Sequence, residues 1–179
     1  MPLRRALLVA ALALPAAFPV RAGTLVDACT LVDPAAATAA LGGAFTAKDK
    51  AVLTRNEDSL WEKSGDCLVA ASGGKAKVYV VVFVARDADG AKASFAANQK
   101  AIDDGKAMPG VKAAPLPGLG DRAFTYHYAY GPGMASQDTT VSAIAGRKLV
   151  TLSLRNAGGD VARQTDQAKA LAAHVLAKL

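Results

Sequence analysis

The chain has 179 residues, 52% of them hydrophobic and 20% charged, with a formal net charge of +6. That mixture is globular, which excludes disordered, collagen-like, coiled-coil and disulfide-dense scaffolds, and the length fits one domain. With 41 alanines against five Phe, four Tyr and one Trp, the core must be built mostly from Val, Leu and Ala.

Residues 1–22 read as a signal peptide. Arg4 and Arg5 form a short positive region, residues 6–18 are apolar, and Val20 and Ala22 suit the −3 and −1 positions of a cleavage site before Gly23. The apolar run is too short for a transmembrane anchor and is interrupted by Pro15 and Pro19. A lipoprotein would need its cysteine directly after that run, and Cys29 lies well beyond it. The Arg4-Arg5 pair, preceded by Leu3, leaves both the general secretory and the twin-arginine route open. Removing Arg4, Arg5 and Arg21 leaves 18 basic against 15 acidic residues, a net charge of +3. The remaining cations are spread singly, which argues against a nucleic-acid partner. The expected location is periplasmic or secreted.

Residues 23–179 are then expected to form a single α+β domain, a mostly antiparallel sheet flanked by three helices. Asp33-Pro34 opens a short alanine-rich helix that Gly42-Gly43 ends. Residues 44–54 read as extended or irregular, followed by a charged loop through Asn56-Glu57-Asp58 to Lys63 that contains Trp61. Residues 67–71 and 76–86 form a hairpin turned at Ser72-Gly73-Gly74. Its second strand, 78–84, is apolar on both parities, which suits a central strand covered on both faces. Asp87 caps a second helix that runs to about Asp104 and stops at Gly105. A Pro/Gly-rich loop over 108–120 leads to strands at 123–130, 139–145 and 147–155, with a tight turn at Gly146. Gly158-Gly159-Asp160 introduces a C-terminal helix with an apolar stripe of Val161, Ala168, Leu171, Ala172, Val175 and Leu179.

Two hairpins share a layout around Gly-Gly-Lys-Ala-Lys-Val (73–78) and Ala-Gly-Arg-Lys-Leu-Val (145–150), which suggests an internal α-βββ duplication. Cys29 and Cys67 are the two cysteines of the chain. In an oxidising compartment they form one structural disulfide; a redox or metal pair is the alternative, with no Cys-x-x-Cys spacing or nearby histidine behind it.

Three stretches carry a resemblance. They are Cys29-Thr30-Leu31-Val32-Asp33 leading to Leu41-Gly42-Gly43, the second cysteine before a valine-rich strand, and Leu116-Pro117-Gly118-Leu119-Gly120-Asp121-Arg122-Ala123-Phe124. Together they resemble a group of exported actinobacterial α+β domains found as lipoproteins or extracellular sensor segments. Here the lipobox is missing, and Leu68-Val69 replaces the aromatic residue common after the second cysteine. The resemblance implies a sheet flanked by helices with one disulfide, and no catalytic residues to transfer.

The search for chemistry yields few candidates. His174 falls among the apolar positions of the C-terminal helix, and His127 has no Cys or His at metal-ligand spacing. Asp103, Asp104 and Asp121 suit turns, and Asp87-Ala88-Asp89-Gly90 lacks the later ligands of a calcium loop. The concentrated feature is Phe124, Tyr126, Tyr128 and Tyr130, four aromatics at period two and therefore on one sheet face. That face is either core, with hydroxyls at its rim, or a ligand surface extended by Thr151 and Ser153 and edged by Gly131-Pro132-Gly133-Met134.

The expected function is a non-enzymatic binding module that recognises a small ligand, envelope component or protein through Phe124, Tyr126, Tyr128, Tyr130 and His127. One alternative is a structural or inhibitory interaction domain docked on a larger partner. A second is a hydrolase-like enzyme using His127 with Asp121 or a tyrosine. No cofactor or metal is expected, and the chain should be a monomer or weak dimer.

Overall fold

The computed structural model describes residues 23–32, 34–49, 60–72, 75–105, 108–129 and 137–179. The expected leader 1–22, the Asp33 cap, the Asn56-Glu57-Asp58 loop, the Gly73-Gly74 turn, and Tyr130 with Gly131-Pro132-Gly133-Met134 lie outside the described residues.

Alternating small and β-branched residues build the sheet. Its strands are β1 (Thr24–Leu25), β2 (Phe45–Asp49), β3 (Trp61–Ala71), β4 (Lys77–Ala85), β5 (Ala114–Pro115), β6 (Arg122–Ala129), β7 (Gln137–Ala145) and β8 (Lys148–Arg155). They lie in the order β1-β3-β4-β8-β7-β6-β5, with β2 also on β3. All pairings are antiparallel except β1 with β3. The four helices are α1 (Ala28–Leu31), α2 (Pro34–Leu41), α3 (Ala88–Asp103) and α4 (Val161–Lys178).

The helices divide between the two faces. On one, Val78, Val80 and Val82 of β4 and Val150, Leu152 and Leu154 of β8 are fully buried beneath α1, α2 and α4. On the other, α3 sets Ala91 and Phe95 against Trp61, Phe124, Ile144 and Leu149. The Cys29–Cys67 disulfide ties α1 to β3 inside the α4-side core, with Cα atoms 5.0 Å apart.

Caps formed where the residue types favour them. Asp87 accepts from Gly90 N at 2.6 Å, and Asp160 from Arg163 N at 2.8 Å, each satisfying a free helical donor. Gly120 enters β6 with φ +59°, and a Cβ there would overlap the Ile144 carbonyl oxygen. That close approach lets Asp121 N donate to Ile144 O and Asp121 Oδ2 accept from Gly146 N, both at 2.7 Å.

The structure corrects several expectations. Four helices flank the sheet rather than three, because Asp27 caps an extra turn, α1, by accepting from Cys29 N. Trp61 is not in a loop: it starts β3 opposite Ala85, and a bulge between Trp61 and Lys63 turns its ring onto Phe83, 4.5 Å between centroids. The bulge breaks the alternation that would have marked a strand. Two residues of the Pro/Gly-rich stretch pair with β6 as β5. Val161, the first residue of α4, is exposed and does not belong to the buried stripe.

The layout that suggested a duplication recurs in the strand order and not in the helices. The meanders β2-β3-β4 and β6-β7-β8 meet at an antiparallel β4–β8 seam. The helices that precede them, α2 and α3, pack on opposite faces.

Candidate functional site

Register assigns the chemistry of the α3-side face. One row across the sheet is Phe124, Ser142, Thr151, Val81 and Asp66. The next is Tyr126, Thr140, Ser153, Tyr79 and Leu68, and the third is Tyr128, Asp138, Arg155, Lys77 and Ala70. Helix α3 covers the Phe124 end, where the Phe95 and Phe124 rings stand 5.1 Å apart. The other three helices pack on the opposite face, so no described helix covers the rows of Tyr126 and Tyr128.

This face has two layers. The inner layer is made of hydroxyls that satisfy one another: Thr140 Oγ1 with Ser153 Oγ at 2.9 Å, and Ser142 Oγ with Thr151 Oγ1 at 3.1 Å. Thr140, Ser142 and Ser153 are buried. The outer layer consists of half-buried Tyr79, Tyr126, Tyr128 and Arg155. The Tyr126 hydroxyl is hydrogen-bonded to Thr140, and burial raises its pKa above the ordinary phenol value. Tyr79 is also raised, first by burial and then by its bond to the carboxylate of Asp66, to which it donates at 3.1 Å.

Phe124 and His127 part company with the tyrosines. Phe124 is 1% exposed and belongs to the α3-side core, because α3 crosses that end of the strand. His127 points to the α4 side, as its odd position on β6 requires. There its Nδ1 lies 3.0 Å from Thr139 Oγ1, and Thr139 donates to Gln164 Oε1 at 2.6 Å. Gln164 Nε2 donates to the carbonyls of Gly158 and Gly159. The Thr139 proton is thus committed, so His127 must donate from Nδ1 and its Nε2 carries the lone pair. Burial holds the His127 pKa below the ordinary imidazole value.

The remaining candidates have structural partners. Asp103 accepts from Ala113 N at 2.9 Å, Asp104 pairs with Lys100 at 2.9 Å, and Asp121 is bound to the β7–β8 turn. His174 is half-buried on α4. Among the described residues no group of three or more His, Cys, Asp or Glu could hold a metal ion. A cleft of about 380 Å³ lies between α3 and the 115–123 loop, lined by Phe95, Gln99, Asp121 and Arg122 and by none of the tyrosines.

Neither a family model nor a curated protein sequence matches the chain. The fold is similar to the extracellular domain of PknH from Mycobacterium tuberculosis, seen in a crystal structure. The TM-score is 0.58 and the identity 11%, over 88% of this chain and 98% of that one. The likeness is one of architecture. No described helix is long and apolar enough to cross a membrane.

Sequence reasoning found Tyr126, Tyr128, Thr151 and Ser153 on this face and missed Tyr79, Asp66, Asp138, Arg155 and Lys77. One local signal existed: Tyr79 carries a polar tip inside an otherwise apolar stretch, Val78 to Val84. Arg155 joins Lys77 and Tyr79 through the β4–β8 pairing of strands distant in sequence, and Asp138 and Asp66 join through the registers of β6–β7 and β3–β4.

Proposed function

We propose that this chain is an exported, non-enzymatic binding domain that takes a small ligand on the face formed by Tyr79, Tyr126 and Tyr128. One observation carries the reading. Three tyrosines stay half-buried on a face that no described helix covers at their rows, while the opposite face lies under three helices. Phenol rings offer flat apolar area with a hydrogen-bonding tip at low entropic cost, which suits ligand contact. The saturated hydroxyls beneath hold the platform rigid, so little ordering is required on binding.

The disulfide and the architectural likeness to an extracellular domain both favour a place outside the cytoplasm. The non-enzymatic part rests on separation of the acid–base candidates: His127 meets Thr139 on the α4 side of the sheet, away from the tyrosines, and Asp121 is held by Gly146 at the β7–β8 turn.

Native mass spectrometry of the protein, purified gently from the compartment where it accumulates, tests this. The expected result is a discrete non-protein adduct that is lost in Tyr126→Ala or Tyr128→Ala. An adduct that survives both substitutions, or a protein bare in every preparation, overturns the proposal and turns attention to a protein partner.

A further inference from the structure

We propose that Arg155, with Lys77 beside it, forms an acid-group subsite at the end of the tyrosine face away from α3, so that the ligand carries a carboxylate or a phosphate. This rests on the ligand-binding reading above. The guanidinium lies over the Tyr79 ring, 5.2 Å from its centroid. That contact orients it without using its N–H donors. Its Nε is buried with no hydrogen-bond partner among the described residues. Asp138 Oδ2 stands 3.7 Å away, near enough to offset charge and too far for a hydrogen bond. The side chain is 43% exposed, and with Nε enclosed that exposure falls on the outer guanidinium nitrogens, which are held in a fixed orientation and make no hydrogen bond among the described residues.

The charge balance at this end points the same way. Lys77 is the strand partner of Arg155 across β4 and β8, on the same face, exposed and in no ion pair among the described residues. Two cations set directly opposite repel each other. Asp138 offsets one of them, and Asp66 lies on β3 beneath the Tyr79 hydroxyl. Asp66 lies two rows away in the register, so Lys77 has no carboxylate in its own row besides the Asp138 beside Arg155, and a planar carboxylate or a phosphate between Lys77 and Arg155 would pair it. Arg155 and Tyr128 flank Asp138 from β8 and β6. Two strand spacings separate them, roughly 10 Å. A ligand with a ring on the tyrosines and an acid group on Arg155 fits that span, whereas a neutral ring would leave Lys77 unpaired.

Amide NMR titrations of the protein with 3-phenylpropionate, 2-phenylethyl phosphate and neutral 3-phenylpropanamide test the subsite. At least one acid should shift β6 and β8 resonances and bind roughly tenfold more tightly than the amide, as a charge-assisted fork requires. Which acid binds more tightly identifies the natural group as carboxylate or phosphate. Arg155→Gln should abolish the preference, bringing the acids to the affinity that the amide shows for the same variant. Lys77→Gln, at an exposed position safe for folding, should weaken the acids about threefold. Equal binding of acids and amide, unmoved by either substitution, overturns the acid subsite and leaves the binding face standing. Failure of all three probes to shift β6 or β8 at millimolar concentration also overturns the subsite, while the binding face is judged separately by the co-purified adduct.

Discussion

Tyr126 and His127 are consecutive on β6 and serve opposite sides of the sheet. The Tyr126 ring stands 6.3 Å from Phe124 on the α3 side, while His127 meets Thr139 on the α4 side. A ligand on the tyrosine face cannot use both. Replacing Tyr126 by Ala should abolish ligand adducts, whereas His127→Ala should leave them in place in the same native mass spectra. Loss of the adduct in His127→Ala, with folding intact, would contradict this division.

The hydrogen-bond chain from His127 through Thr139 to Gln164 sets a second expectation. Thr139 is fully buried and Gln164 is 2% exposed, so neither can turn to water for a lost partner. Thr139→Val keeps the shape and strands the Gln164 carbonyl, which should cost about 1–3 kcal/mol. His127→Ala removes a half-exposed donor and leaves the Thr139–Gln164 bond intact, for about 1 kcal/mol. Urea denaturation should rank Thr139→Val as the more damaging, and the reverse order would mean that the chain is not anchored at Gln164.

The elements legible in the sequence are those fixed by local pattern. Asp87 and Gly105 bracket α3, Asp160 starts α4, and the apolar run of β4 puts it between β3 and β8. Period two on β6 put Tyr126 and Tyr128 on one face, as found. What local pattern could not supply was register and coverage. Helix α3 crosses the row of Phe124 and not that of Tyr126, which makes one core and the other half-buried. Arg155 reaches Tyr79 because β8 pairs with β4, an arrangement between strands about seventy residues apart that no local signal encodes. Trp61 was hidden by a bulge, since one extra residue inverts the alternation that a strand reading relies on.

The disulfide supplies a third expectation. Cys29 and Cys67 close a separation of 38 residues, so in the chain-entropy account the bond contributes about 4 kcal/mol by restricting the unfolded chain. Both cysteines lie in the α4-side core, away from the tyrosine face. The Cys29→Ala, Cys67→Ala double variant should therefore melt roughly 10 °C lower. It should keep its adduct at temperatures where it remains folded. Calorimetry beside native mass spectrometry separates the two effects, and an unchanged melting temperature would show that the α1–β3 tie restricts little.

Stability should fall on both sides of a plateau, for reasons of opposite sign. The His127 pKa is depressed by burial, so the unfolded chain takes up its proton first as the pH falls below about 6.5. Its contribution is complete above that value and is lost as the pH drops through the lower, folded pKa. Tyr79 and Tyr126 are raised by burial, so their contribution is complete below pH 10 and is lost as the pH climbs through their folded values. His127→Asn keeps a donor for Thr139 without a titrating ring and should flatten part of the acid limb. Tyr126→Phe should flatten part of the alkaline limb and remove one late-ionising phenol from the absorbance titration at 295 nm. Urea midpoints measured against pH would reveal both changes. An acid limb identical in the protein and in His127→Asn would show that this imidazole is as free to protonate when folded as when unfolded.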